Sequence, residues 1–321
     1  MMKKPPLIII TGPTAVGKTA LSIELAKAVG GEIISADSMQ VYRHMDIGSA
    51  KITAAGMQGI PHYLVDVLEP AEGFDVYRFQ QMAREALQTI YQHGKIPIIA
   101  GGTGFYIQAL LYDIDFTENA DDGAIRQELE ALGAERGNEY LHRLLAEIDP
   151  EAAGQIHANN RKRVIRAIEY YRLTGELISV HNEVQRKKES PYRFYYYVVN
   201  TDRAVLYERI DSRVDQMMEQ GLVEEVKKLK AMGCTADLVS MQGLGYKEIL
   251  KYLEGECSLE EAVYTIKRDT RHFAKRQLTW FKREAEVRWL NLPDYDHDGS
   301  RVLGAILNDI QETLHETDRN I

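Results

Sequence analysis

Residues Leu7 to Val29 read LIIITGPTAVGKTALSIELAKAV. Leu7–Thr11 is a short apolar run rich in Ile, the mark of a strand buried on both faces. Gly12–Gly17 is a turn-forming loop. Thr19–Val29 is a helical run with Leu21, Leu25 and Val29 at fourfold spacing, closed by Gly30 and Gly31. Between strand and helix lies GPTAVGKT: Gly12, Pro13, Thr14, Ala15, Val16, Gly17, Lys18 and Thr19. It fits G-x-x-x-x-G-K-[ST] in the setting that pattern requires. Successive backbone N–H groups of such a loop cradle phosphate oxygens, and the helix N-terminus adds positive potential. Lys18 supplies a point charge, and the Thr19 hydroxyl is placed to ligate Mg²⁺. A nucleoside triphosphate is the common occupant. A diphosphate leaving group satisfies the same loop.

The strand–helix alternation continues downstream. Glu32–Ala36, His62–Val67 and Ile96–Ala100 read as buried strands, with a helix over Tyr77–His93 closed by Gly94. Alternation of this kind predicts an α/β fold, a parallel sheet with helices on both faces. Ligands of such sheets lie beyond the carboxyl ends of the strands. That rule makes Gly12–Thr19, Asp37–Gln40 and Gly101–Gly104 neighbours. From about Phe116 the pattern turns helical, and strand character returns only at Phe194–Asn200. The expected organisation is a core from residues 1–115 and 194–321, with a helical insertion domain at 116–193. Further helices are expected near 203–219, 222–232 and 259–285. The last opens with Ser258 and Glu261 in capping-box spacing.

The chain has 321 residues, 45% apolar, 27% charged and 8% aromatic. That is ordinary globular composition. At roughly 150 residues per domain it makes two domains, or one enlarged by an insertion. It excludes disorder of the whole chain. No apolar run approaches the ~20 residues that cross a bilayer. Only Leu7–Ile10 follow Lys3 and Lys4, too short a stretch for a signal peptide. Cys234 and Cys257 form neither a disulfide framework nor a metal cluster, so a reducing, cytoplasmic setting is expected. No coiled-coil or symmetric apolar signature appears. A monomer is expected, with no membrane and no obligate protein partner.

Net charge is −9, which taken alone argues against a nucleic-acid binder. Its distribution argues otherwise. Ile156–Arg193 carries nine Lys/Arg against four Asp/Glu, and Thr265–Arg288 carries eight against three. Local basic faces govern polyanion contact more than the total. The plain reading of each cluster is nonetheless a solvated helix face.

Three more motifs bear on chemistry. In ADSMQVYR, Ala36–Arg43, Asp37 follows a strand beside the phosphate loop. A carboxylate there serves as a Mg²⁺ ligand or general base, or simply makes an Asx turn. In AGGTGFY, Ala100–Tyr106, three glycines permit a close backbone path and Thr103 is the hydroxyl-bearing side chain; a plain strand-to-helix turn reads the same. On the helix 203–219, Arg213 shares a stripe with Leu206, Ile210 and Met217. Charge there is expensive unless paired, so Arg213 meets a structural carboxylate or an anionic ligand.

Taken together these motifs resemble the tRNA dimethylallyltransferases (tRNA isopentenyltransferases) over nearly the whole chain. Besides GPTAVGKT, the resemblance rests on DSMQVY, MDIGSAK (Met45–Lys51), HYLVDV (His62–Val67), GGTGFYIQALL (Gly101–Leu111) and NNRKRVIRAIE (Asn159–Glu169). It continues in RVDQMMEQGLVEEV (Arg213–Val226), GLGYKE (Gly243–Glu248) and TRHFAKRQLTWF (Thr270–Phe281). No Cys-rich zinc finger follows, as in the compact bacterial type. The resemblance implies a P-loop NTPase-like core, a helical insertion gripping the tRNA anticodon stem-loop, and Mg²⁺. It implies transfer of a dimethylallyl group from dimethylallyl diphosphate to the exocyclic amine of the adenosine just 3′ of the anticodon. By the same resemblance Asp37, Thr103 and Arg213 are catalytic, Gly12–Thr19 binds the diphosphate, and Thr19 ligates the metal. The implied tRNA contacts are Asp37, Ser38, Met39, Gln40, Thr103, Arg126, Arg161, Lys162, Arg163, Val164 and Ile165.

Basic residues also recur every four positions at Lys267, Arg271 and Lys275, lining one helical face. Trp280 and Phe281 read as core packing. Three other functions fit parts of the sequence. An adenylate isopentenyltransferase lacks a use for the basic insertion. A P-loop small-molecule kinase does not account for DSMQ and GGTG. A non-catalytic RNA-binding module needs no Lys18, Thr19 and Asp37.

Overall fold

The computed structural model describes residues 4–116 and 123–319, so positions 117–122 of the expected insertion lie outside the described residues. The chain forms two compact units, Met1–Leu111 with Pro191–Ile321, and Tyr112–Ser190.

The first unit is built on a six-stranded sheet. Its strands are β1 (Pro6–Thr11), β2 (Gly31–Ala36), β3 (His62–Tyr63), β4 (Ile96–Gly101), β5 (Arg193–Asn200) and β6 (Val287–Asn291). They lie in the order β3-β2-β4-β1-β5-β6, and every pairing is parallel. The Leu7–Ile10 side chains are at most 1% exposed. Each such burial stabilises by about 1.5–3 kcal/mol, which commits β1 to the sheet centre. Around the sheet and its carboxyl edge stand α1 (Lys18–Val29), α2 (Val76–Gln92), α3 (Gly104–Leu111), α9 (Arg203–Glu219), α10 (Leu222–Ala231), α11 (Tyr246–Leu253), α12 (Leu259–Phe281) and α13 (Gly299–Arg319). Ile8, Ile10, Ile33, Ile98 and Tyr197 of the sheet pack with Leu25, Leu206 and Ile210 of the helices. No helix among the described residues is long and apolar enough to cross a membrane.

The second unit holds α4 (Ala124–Arg136), α5 (Asn138–Ile148), α6 (Pro150–Gln155), α7 (Arg161–Thr174) and α8 (Ile178–Arg186). Leu129, Leu141, Leu145, Val164, Ile165 and Ile168 form its own core.

Several elements differ from the sequence expectation. The strand expected over His62–Val67 stops at Tyr63, because Leu64 and Asp66 take φ of 62° and 61°, which ends a ladder. The helix expected over 259–285 ends at Phe281, and its Ser258–Glu261 capping box is formed. β6 has no counterpart in the sequence reading. It is a five-residue edge strand in which only Leu290 is buried, too little alternation to stand out.

Candidate active site

Three loops meet at the carboxyl edge of the sheet, and backbone geometry forces the meeting. β2 pairs with β4 so that Ala36 lies opposite Gly101, and β1 so that Thr11 lies opposite Gly101. Thr11 Oγ1 donates to the Gly101 carbonyl at 2.7 Å. The Thr103 amide donates to the Ala36 carbonyl at 3.2 Å. A Cβ on Gly101 would collide with that carbonyl, and one on Gly12 with the Val199 carbonyl. Gly12 also has φ of 145°. Only glycine fits at either place.

The phosphate loop turns through left-handed conformations at Ala15 (φ 64°) and Gly17 (φ 104°) before α1 begins at Lys18. Pro13 and Val16 are buried beneath it, and Thr19 is exposed on the first turn of the helix. Lys18 Nζ donates to the Pro13 carbonyl at 2.8 Å. Burial pushes the Lys18 ammonium down to about 8; Asp37 pulls it up and Arg213 pushes it lower. Burial likewise lowers Arg213, with Asp37 opposing. Lys18, Asp37 and Arg213 therefore share one electrostatic environment. Arg213 forms no ion pair among the described residues, and the one carboxylate acting on it electrostatically is Asp37. Two largely buried cations face a single carboxylate, an excess of positive charge suited to an anion.

Asp37 Oδ1 accepts from the Met39 and Gln40 amides at 2.8 and 3.2 Å. The Asx turn is thus real, and it uses one carboxylate oxygen. Oδ2 has no hydrogen-bond partner among the described residues, leaving a proton acceptor beside the phosphate loop. Thr103 caps α3, its carbonyl accepting from Tyr106 and Ile107.

For a metal, the donors on offer are hard oxygens, the Thr19 hydroxyl and the second oxygen of Asp37. No cluster of three or more His, Cys, Asp or Glu suited to a metal occurs among the described residues. A cation held here would need most of its ligands from phosphate and water. That fits Mg²⁺, which keeps its waters and binds through few protein groups.

Two residues that sequence reasoning did not single out frame this site. Gln277 of α12, 6% exposed, joins the phosphate loop to the glycine loop: its Oε1 accepts from Thr14 N–H at 2.9 Å and its Nε2 donates to the Gly102 carbonyl at 3.0 Å. Glu225 of α10 accepts from the amides of Asp46, Ile47 and Gly48 and from the Tyr246 hydroxyl at 2.8–3.1 Å. Tyr246 OH in turn accepts from Ser49 N–H at 3.1 Å. This fastens the loop whose Ser49 and Ala50 carbonyls accept from the Gln40 amide. A Cβ on Gly243 would reach within 2.5 Å of Met39 Cε, so GLGYKE packs directly on DSMQ.

In the second unit the expected RNA contacts are placed unequally. Lys162 and Arg163 are exposed on the first turn of α7. Arg161 is tied to α4, donating to the Glu130 carbonyl and pairing with its carboxylate at 3.1 Å. Arg126 grips Glu169 through two bonds of 2.9 and 2.7 Å, and Arg166 joins at 3.0 Å. Val164 and Ile165 are 0% and 1% exposed, so their side chains face the unit's own core. In the first unit, the basic face of α12 is largely neutralised. Lys267 pairs with Asp215 and Arg271 with Asp211, both from α9, at 2.6–2.7 Å. Lys275 has no ion pair among the described residues, and lines an open groove of about 420 Å³ with His272, Arg276, Thr279, Trp280 and Arg283. Phe281 is fully buried. Trp280 is half-buried and lies over Gly104, where a Cβ would collide with its ring.

Residues 40–284 match the IPP transferase family. The chain is 65% identical over 295 residues to a tRNA dimethylallyltransferase of Lachnoclostridium phytofermentans, covering 92% of this chain and 94% of that one. It is similar to the crystal structure of a full-length tRNA isopentenylpyrophosphate transferase from Bacillus halodurans, at 45% identity and a TM-score of 0.74 over 99% of both chains. It is also similar to a eukaryotic dimethylallyltransferase captured acting on tRNA. There identity is 30% and the TM-score 0.82, over 96% of this chain and 80% of that one.

Proposed function

The chain belongs to the IPP transferase family, and from that premise we propose that it transfers a dimethylallyl group from dimethylallyl diphosphate to the exocyclic N6 amine of the adenosine just 3′ of the tRNA anticodon. The observation that carries this reading is the trio Lys18, Arg213 and Asp37, two largely buried cations and one carboxylate with a free oxygen.

The donor's carbon–oxygen bond breaks as the N6–carbon bond forms, and diphosphate leaves with the electron pair. Negative charge builds on the leaving group, where the phosphate-loop N–H groups, Lys18 and Arg213 stabilise it. Thr19 would help to hold a Mg²⁺ ion, which would supply further neutralisation of that charge. The adenine amine is a poor nucleophile because its lone pair is delocalised into the ring. Asp37 Oδ2 accepts its proton while Oδ1 stays fixed in the turn. Thr103 borders the same space through its bond to Ala36. The phosphate loop is here a leaving-group clamp, and ATP has no part in the step.

The acceptor base leaves its stack to react, at a cost of a few kcal/mol that is smallest in a single-stranded loop. Ser38, Met39 and Gln40 follow Asp37 and line the acceptor side. The start of α7 offers Lys162, Arg163 and the first two amides of the helix to the anticodon stem-loop, since Asn160 gives no side-chain cap. Arg161 and Arg126, held by Glu130 and Glu169, brace that helix start. Val164 and Ile165 support this helix start from its core side. A tRNA substrate and two cysteines without a disulfide fit a cytoplasmic setting.

Incubation with labelled dimethylallyl diphosphate and tRNA, AMP, or neither tests the reading. Label in tRNA alone is the expected result. Label in AMP makes the enzyme an adenylate prenyltransferase, and phosphoryl transfer from ATP makes it a kinase.

A further inference from the structure

A buried side chain, that of Gln277, joins the two loops assigned to the two substrates through their main chain. Gln277 lies in the middle of α12, buried, and both ends of its carboxamide are spent on main chain. One end accepts from Thr14 in the phosphate loop; the other donates to Gly102, one residue before Thr103. Those partners lie on different loops of the site. The fit is close: a Cβ on Gly102 would collide with Gln277 Nε2. A glutamine is suited to the task because one planar group carries an acceptor and a donor a fixed distance apart. A carboxylate would offer Gly102 no proton, and a lysine would offer Thr14 no acceptor.

We propose that Gln277 is a positioning residue that sets the separation of the phosphate loop from the Thr103 loop, and so the distance between the donor's reacting carbon and the acceptor amine. This rests on the assignment of donor to the first loop and acceptor to the second. A misplacement of about 1 Å between reacting groups costs on the order of 10²-fold in rate. The helix that carries Gln277 also carries Trp280, which lies over Gly104 on the far side of Thr103. α12 therefore holds the glycine loop at two points.

Gln277→Met keeps the length and burial of the side chain and removes both hydrogen bonds. In single-turnover transfer to an anticodon stem–loop, with both substrates saturating, the rate constant should fall by about 10- to 100-fold. Calorimetry should show pyrophosphate still bound. A purely structural role would lower only the amplitude, through the folded fraction, and leave the rate constant unchanged; that result overturns the proposal. A cycle with Gly102→Ala decides the matter should Gln277→Met fold poorly. Its added methyl displaces the amide, so Gly102→Ala combined with Gln277→Ala should be no slower than Gln277→Ala alone. Losses that multiply would overturn the coupling. Should wild-type protein fail to bind pyrophosphate, the donor assignment falls and this proposal with it. Should it bind and transfer normally while Gln277→Met keeps its rate constant, only the role of Gln277 is lost.

Discussion

The Ala36 carbonyl accepts the Thr103 amide at 3.2 Å. That single bond between the ends of β2 and β4 sets Asp37 and Thr103 side by side. It places a carboxylate and a hydroxyl together at the carboxyl edge of the sheet, beside the phosphate loop at the end of β1.

Asp37→Asn isolates the proton acceptor. The Asn carbonyl still accepts from Met39 and Gln40, so the turn at 37–40 survives while basicity is lost. Turnover should drop by about 10²-fold or more, with stem–loop affinity far less affected. Turnover close to wild type in this variant would remove Asp37 from the chemistry.

Lys18 gives the donor site a pH signature. Its ordinary value is 10.5 and burial brings it to about 8. Below about 8 it is charged whether folded or unfolded, and the burial penalty is present in full. Between that point and 10.5 the unfolded chain holds more protons, so this residue makes stability rise with pH. A bound diphosphate favours the charged form and raises the value again. Pyrophosphate affinity should therefore weaken as pH rises through about 8, by at most about tenfold per unit, beyond any trend in Lys18→Met. Parallel pH profiles for the two proteins in calorimetry would contradict it.

Much of this site was legible in sequence because it is local. The apolar run, the glycine loop and the helix of residues 7–29 specify one another over short range, and the strand ends then follow from α/β topology. What stayed hidden depends on distant partners. Gln277 looks like any polar residue in an amphipathic helix, and its role comes from Thr14, 263 positions away, and Gly102, 175 away. Glu225 reads as surface charge until the loop at 46–48 folds onto it. The four-residue spacing of Lys267 and Arg271 marked a helix face correctly but not its neighbour. Asp211 and Asp215 carry the matching spacing on α9, a signal that could have been read.

The start of α7 sets two exposed cations beside one that is held in an ion pair. Lys162 and Arg163 are exposed, whereas Arg161 is held by Glu130. Replacing Lys162 and Arg163 by Ala should weaken stem–loop binding and shrink the log–log salt slope by about 0.7–0.9 per lost phosphate contact. The fold should be little affected, since exposed charges contribute little. Arg161→Ala should lower the melting temperature instead. Unchanged slope and affinity in the Lys162/Arg163 variant would assign the grip to other residues.

Glu284, just past the end of α12, is pushed up to about 7 by burial. Folding therefore favours its protonated form. The stability it confers is complete below its unfolded value of 4.5 and is lost as pH rises through about 7. Glu284→Gln should raise the melting temperature relative to wild type at pH 8 and show a smaller gain near pH 4.5. A pH-independent difference would mean that the carboxyl is not held neutral.

The phosphate loop should clamp the diphosphate of a prenyl donor rather than turn over a nucleotide. The most direct measurement is the initial rate of label transfer from dimethylallyl diphosphate to tRNA, without ATP and across pyrophosphate concentrations. The predicted result is full activity without nucleotide and inhibition by pyrophosphate that rising donor overcomes. Strict dependence on ATP, or indifference to pyrophosphate, would contradict it.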